Sequence, residues 1–392
     1  MNKVYALLLI IIAFASCETN KSGYFTRDGL TQGTTYHIVF EIPHNAAKAG
    51  LTYEAICDSI ELYLKDIDFA LSGYNKASIL SLFNSNPDSL NSILHSITAT
   101  YAKDGTEERA KEFLRRYAIF IDNFNLAQSA YNKTDAFVDC SAAPLFDLWG
   151  FGFKQGTDVT QTQIDSVKQF IGMDNFTINY LSNDTTKNIS NNSESNYKND
   201  IAIISKKDNR CRLNFNAIAQ GFTADYIASH FSKMGINNYL IEVGGEILAK
   251  GKNAKGGKWR VGIDRPEDGN NASGEKIEEI VEIADGGLVT SGDYRKFYIK
   301  EGKKISHTIN PKSGYPVEHN LLSATIIAPS SALADIYATY CMVIGLEKAQ
   351  EFVQKESLIM GAVLIYSVTD NCITSNSSSI NDSMIIWKHK LY

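Results

Sequence analysis

The stretch from Leu213 to Gly245, LNFNAIAQGFTADYIASHFSKMGINNYLIEVGG, constrains this chain more than any other. An extended piece, Arg212-Leu213-Asn214-Phe215-Asn216, runs into small residues, Ala217-Ile218-Ala219-Gln220-Gly221. Ala224, Ile227, Ala228 and Phe231 then recur at helical spacing, which predicts one apolar helix face. Gly235 stands where a helix C-cap belongs. Tyr239-Leu240-Ile241-Glu242-Val243 reads as a buried strand ended by Gly244-Gly245. The result is a βαβ-like unit with small residues at its first turn. Such residues let a backbone approach a ligand, and a helix N-terminus offers unpaired N–H groups to phosphate. A plain tight turn in any α/β protein has the same composition, so both readings stand on this stretch alone.

The N-terminus, MNKVYALLLIIIAFASC, sets one Lys before an uncharged run from Ala6 to Phe14. Small residues then lead to Cys17. A secretory signal has this layout, and the run is short for a spanning helix. A cysteine at the cleavage point marks a bacterial lipoprotein signal, with Phe14 where Leu is usual. The expectation is a lipid on Cys17, residues 18–30 as a tether, and a location in the bacterial cell envelope facing the periplasm. An ordinary signal peptide with Cys17 incidental is the competing reading.

About 375 residues follow the signal, enough for a large core in one two-lobed domain over residues 31–392. The formal net charge of -6 argues against a nucleic-acid footprint. Beyond Cys17 come Cys57, Cys140, Cys211, Cys341 and Cys372. None forms a CxxC pair, so a zinc cage is not expected.

Along the chain, Thr31 to Glu41 predicts a strand with a turn at Gly33. Tyr53 to Leu71 predicts an amphipathic helix, Ser78 to Asn84 a short one, and Glu107 to Tyr131 another long one. Asp139 to Gly152 is not periodic and reads as an apolar turn. Asn183 to Asp200 is a polar surface loop by composition, and Pro266 to Lys276 is another. Lys258 to Ile263, Ser323 to Pro329 and Gly361 to Ser367 predict strands, and Ser331 to Ile344 a helix stopped by Gly345. Helices and strands interleave throughout, so the class is α/β or α+β.

Asp335 and Thr339 are four apart on the last of these helices and share a face. A carboxylate and a hydroxyl are hard oxygen ligands that suit Mg²⁺. Asp335 in a first turn would equally complement the helix dipole. His307, before a Pro/Gly turn, is a candidate general base or a structural histidine. Tyr74, Asp139, Thr290, Ser291 and Asp293 read as polar loop residues, placed for ligand contacts or for ordinary turn bonds.

In order, these segments resemble the ApbE family of FAD:protein FMN transferases. The similarity runs from Gly33 to about Lys355. It is carried by GTTY at Gly33, LSGYNKASILSLFN at Leu71, DCSAAPLFDLWGFG at Asp139 and NFNAIAQGFTADYIA at Asn214. VGGEI at Val243, TSGDYRKF at Thr290, SHTINPKSGYPV at Ser306 and ALADIYATYCMVIG at Ala332 complete it. The resemblance implies a two-lobed, mixed-sheet fold with FAD in the cleft between lobes. It implies FAD contacts at Gln32, Tyr74, Phe137, Val138, Asp139, Asn214, Gln220, His307 and Ile309. Metal ligands would be Asp335, Thr339 and the backbone oxygen of Ala217. The implied reaction is Mg²⁺-dependent transfer of FMN to a Thr or Ser hydroxyl of an acceptor flavoprotein, with AMP leaving and His307 or Asp293 as base. His307 is preferred, because an imidazole titrates near working pH. A lipoprotein signal suits this family. Four positions depart from its pattern by losing a charge: Asn214, Gln220, Asn310 and Ala338. They keep two alternatives open, an FAD pyrophosphatase that yields FMN and AMP, and a non-catalytic flavin-binding lipoprotein.

Overall fold

Leu288 and Val289 are chain neighbours that pack into different cores, and Ile326 with Ile327 and Leu364 with Ile365 do the same. Period-two alternation of this kind means a sheet covered on both faces. In the computed structural model, which describes residues 23–100, 107–152, 158–181, 201–267, 276–293, 297–300, 303–367 and 384–389, that sheet has eight strands. They are Gly23–Thr31, Thr34–Ile42, Tyr239–Val243, Glu246–Lys250, Gly286–Gly292, Leu321–Ala328, Gly361–Ser367 and Met384–His389. Their order across the sheet is their order in the chain. Every pairing is antiparallel.

Two helices lie on one face and position the site. The central helix is Ala219–Lys233, whose buried side includes Ala224, Ile227, Ala228 and Phe231. The late helix is Ser331–Ile344, capped by the Ser330 hydroxyl and stopped by Gly345 at φ 80. Helices Tyr53–Leu71, Ile79–Ser85 and Glu107–Lys133 extend the same core. A two-stranded ribbon, Trp259–Asp264 with Ile277–Ile283, covers the other face through Trp259, Val261, Val281 and Ile283.

Asp225 of the central helix ties the two helices together. Its carboxylate accepts from the Ser331 and Ala332 N–H groups, both at 2.9 Å. These are first-turn donors with no intrahelical partner. Burial outweighs those two bonds and pushes the Asp225 carboxyl up to about 6. Gly221 makes the close crossing possible. A Cβ there would stand 2.7 Å from the Ser331 carbonyl oxygen and 2.9 Å from Ala332 Cα. Gly221→Ala is therefore expected to destabilise. Overpacking costs roughly 1–3 kcal/mol, against about 1 kcal/mol gained from helix propensity. A lowered melting temperature in a thermal scan checks it, and an unchanged or raised one would refute the contact.

Several expectations change. Residues 18–30, read as a tether, contain from Gly23 onward a full edge strand paired with Thr34–Ile42. The sheet is antiparallel rather than mixed, and the βαβ-like reading fails with it. Tyr239–Val243 pairs antiparallel with both neighbours, and Arg212 makes only an isolated bridge to Ala142. Helix Pro87–Thr100 is an element beyond those the sequence predicts, and a short helix, Ala143–Leu148, lies inside the expected apolar turn. Thr290 and Ser291 sit on strand Gly286–Gly292, not on a loop. Cys17, the loop at 183–200, most of the loop at 266–276, and Tyr294-Arg295 lie outside the described residues.

Candidate functional site

The first turn of the central helix is the meeting point. The Gly221 N–H, a donor without a backbone partner in that turn, faces the Asp335 carboxylate on the late helix. Asp335 is 5% exposed, and its Oδ2 has no hydrogen-bond partner among the described residues. Burial first, with the nearby Asp225 charge adding to it, raises its carboxyl well above the ordinary carboxylate range. A buried carboxylate oxygen without a partner is costly. A hard cation at that oxygen would remove the cost. Thr339 lies one turn along, its Oγ1 3.4 Å from the Ser291 hydroxyl. Ala217 stands just before the central helix. Oxygen donors of this kind fit Mg²⁺. Among the described residues no three His, Cys, Asp or Glu side chains gather; Asp335 is the carboxylate of this candidate site, and Thr339 and Ala217 would add neutral oxygens.

The hairpin turn at Gln32-Gly33 folds over this helix start. Gln32 adopts φ 51 and donates from Nε2 to the Thr223 hydroxyl at 2.6 Å. Gln220 lays its amide against Gly244, where φ is 69 and a Cβ would clash. Glycine is required there for both reasons. Gln32 and Gln220 therefore stand at the start of the central helix, where Asp335 also meets it.

A second wall comes from two segments laid side by side. The Asn214 N–H donates to the Cys140 carbonyl at 2.7 Å, and Ala142 bridges Arg212 in parallel. This brings Asp139 close to Asn214. Asp139 Oδ1 accepts from the Ser141 N–H at 2.8 Å and its hydroxyl at 2.6 Å. Burial nevertheless pushes its carboxyl up to about 6. Asp135 and Ala136 precede it with φ of 49 and 61. Left-handed non-glycine residues of this kind carry strain and mark a shaped loop. Phe137, next in the chain, lies 5.9 Å from the Tyr340 ring and 4.2 Å from Lys312 Nζ. Val138 is buried and serves the core.

Beside residues 212–214 lies a cavity of about 380 Å³, lined in part by Tyr74, Asn84, Phe151, Arg212 and Asn214. Tyr74 is 76% exposed at its edge. His307 faces the Phe151 ring edge-on at 6.3 Å. Ile309 is buried against Leu145 and Ile164 and bridges Pro316, so its side chain anchors the loop that carries His307. Asp293 is also buried, with Lys304 Nζ 3.7 Å from its Oδ1.

Two of the lost charges have a plain structural account. Asn310 Oδ1 accepts from the Lys312 and Ser313 N–H groups at 2.9 and 3.3 Å. Asn214 Oδ1 accepts from the Asn216 N–H at 2.8 Å. Both are Asx turns, which an amide oxygen closes as well as a carboxylate does. The residues that sequence reasoning missed are Asn84, Asp147, Arg212 and Asp225. Their partners lie far along the chain, which periodicity and spacing do not report.

Fold and site define an α+β protein with a buried carboxylate, Asp335, set at the first turn of the central helix. The ApbE family model matches residues 32–364, and the chain belongs to the ApbE family. It is 32% identical over 371 residues to the FAD:protein FMN transferase of Haemophilus influenzae, across 94% of this chain and 93% of that one. Against the FAD:protein FMN transferase of Escherichia coli K12 it is 31% identical over 362 residues, 90% of each chain. The fold is similar to the flavin transferase ApbE from Vibrio cholerae, with a TM-score of 0.65, 24% identity, and 94% and 97% coverage. It is also similar to the Pseudomonas stutzeri flavinyl transferase ApbE, with a TM-score of 0.67, 23% identity, and 94% and 95% coverage.

Proposed function

We propose that this chain is an FAD:protein FMN transferase that moves FMN from FAD onto a Thr or Ser hydroxyl of an acceptor protein and releases AMP. The observation that carries the metal-dependent form of this reading is the buried Asp335 oxygen without a partner, set against the Gly221 N–H. Asp335, Thr339 and the Ala217 carbonyl would hold Mg²⁺. A divalent cation there draws charge from the diphosphate and makes AMP a better leaving group.

The protein's own groups do the rest. The acceptor oxygen attacks the phosphorus on the FMN side, and the bond from that phosphorus to the AMP oxygen breaks. His307 takes the hydroxyl proton. Phe151 sets the plane of its imidazole, and the Ile309–Pro316 bridge holds its loop. Asp293 is the lesser candidate, because Lys304 already answers its charge. Gln32, Tyr74, Phe137, Asp139, Asn214 and Gln220 would line the flavin nucleotide. The test is incubation with FAD, Mg²⁺ and an acceptor peptide. Fluorescent peptide supports transfer. Free FMN and AMP alone would assign hydrolysis, with water in place of the acceptor, and intact bound FAD alone would assign storage.

The segment before the fold carries a separate proposal. Cys17 bears lipid and holds the enzyme to the cell envelope, facing the periplasm. The support is the uncharged run followed by Ala15-Ser16-Cys17. Cys17→Ser is expected to leave the membrane fraction for the soluble one. A Cys17→Ser chain that still sediments with membranes would end the proposal.

A further inference from the structure

Arg212 and Asn214 are two apart on an extended piece, so their side chains share a face. Leu213 between them turns into the core and is 2% exposed. Asn84 holds that middle residue by both backbone groups. Its Oδ1 accepts from the Leu213 N–H at 2.8 Å, and its Nδ2 donates to the Leu213 carbonyl at 2.9 Å. Lys206 Nζ donates to the carbonyls of Asn84 and Cys211 at 2.8 and 3.1 Å, which fixes both sides of the clamp. Arg212 and Asn214 are thereby presented to the cavity of about 380 Å³ on a rigid support.

Their hydrogen-bonding edges are only half used. Arg212 Nη1 donates to Asp147 Oδ2 at 2.7 Å. Its Nε and Nη2 have no partner among the described residues, and the side chain is 35% exposed. The Asn214 oxygen is spent on Asn216, so its Nδ2 is the group left for a ligand. Arg212 is the one cation among the described residues that line the cavity. Asp147, the carboxylate among the lining residues, pairs with Arg212. The wall thus offers N–H donors and a fixed guanidinium edge. Such a wall selects an oxyanion, for which a planar guanidinium is the best-matched side chain.

Within FAD, the diphosphate is the anionic, acceptor-rich part. We infer that Arg212 contacts the diphosphate of FAD, with the Asn214 amide as second donor, and so sets a preference for a phosphorylated flavin. This rests on the transferase reading and names a contact that the resemblance does not include.

The test is fluorescence titration of the full chain with FAD and with riboflavin, both in chelator so that no metal contributes. Arg212→Gln should weaken FAD roughly 10–100-fold, the range for a lost charge-assisted pair. Riboflavin has no phosphate, and its affinity should stay within about twofold. Arg212→Lys should fall between, because it keeps the charge and loses the fork. Asp147→Asn keeps an oxygen for Arg212 Nη1 and leaves the guanidinium in place, so it should cost far less FAD affinity than Arg212→Gln. Thermal melting checks that each variant folds. Equal losses for both flavins in Arg212→Gln, or a matching loss in Asp147→Asn, would show that the pair only pins the wall, and would overturn the inference. No change in Arg212→Gln would also overturn it. A parent protein that binds no FAD would instead sink the transferase reading, and the inference with it.

Discussion

Asp335→Ala is expected to lose magnesium-dependent transfer across the whole metal titration. The change removes the one carboxylate proposed for the cation and leaves only neutral oxygens. A metal acting on a transferring phosphoryl group supplies several kcal/mol, which is about a thousandfold or more in rate. Thr339→Ala should cost less, because a neutral oxygen is lost. Asp335→Asn gives a second readout. It keeps an oxygen for the Gly221 N–H and removes the buried charge. In chelator it should therefore melt at or above the parent, while its melting temperature no longer rises with Mg²⁺.

The pH dependence has a definite sign. Burial holds the Asp335 carboxyl well above its unfolded value, so the folded chain binds a proton where the unfolded chain does not. Metal-free stability should then rise as pH falls from neutral toward about 4, where the unfolded carboxyl titrates. Asp139 and Asp225, both pushed up to about 6 by burial, act in the same direction. His230 opposes them, because burial lowers its folded value. Magnesium needs the carboxylate, so acid must remove a proton's competitor from the site. The Mg²⁺-induced rise in melting temperature should be largest near neutral pH and shrink toward pH 5. Full activity in Asp335→Ala, or a metal-induced shift independent of pH, would refute this site.

Helix Tyr53–Leu71 and helix Ser331–Ile344 have the ends the sequence predicts, because local chemistry sets them. The Thr52 and Ser330 hydroxyls cap their starts, and Gly345 stops the second. Strand Gly23–Thr31 was illegible for the opposite reason. It is an edge strand with no fully buried residue, so it carries no apolar alternation. Only its partner, Thr34–Ile42, buries a face, and only that strand shows the alternation that predicts it. The late helix also shows how far the site was legible. Asp335 and Thr339 follow from helical spacing, whereas the Gly221 N–H that meets Asp335 comes from another element. Asn84 with Leu213, Arg212 with Asp147, and Asp225 with Ser331 are separated by 129, 65 and 106 residues. Tertiary packing alone joins them. Asn214 and Asn310 carry the reverse lesson: a lost charge in the sequence is a closed Asx turn in the fold.

His307→Ala is expected to slow the chemical step at least about a hundredfold, since a positioned general base contributes ~10²–10⁴-fold. The imidazole is partly buried beside Phe151 and rides on a loop anchored by Ile309. Ile309 keeps that anchor when the His307 ring is removed, so the loop should hold and FAD binding should change little. A role as base also fixes the pH profile. The single-turnover rate of the parent should rise with pH through titration of the imidazole and then level, and His307→Ala should lack that limb. Asp293→Asn is the comparison. Its carboxylate sits against Lys304, so its loss takes a counter-charge from a buried ammonium and should lower stability more than it lowers the rate. Single-turnover transfer, FAD affinity and thermal melting on both variants separate the roles. A His307→Ala enzyme that transfers FMN at nearly the parent rate, with its acid limb intact, would move the proton acceptor elsewhere and leave His307 as a wall of the pocket.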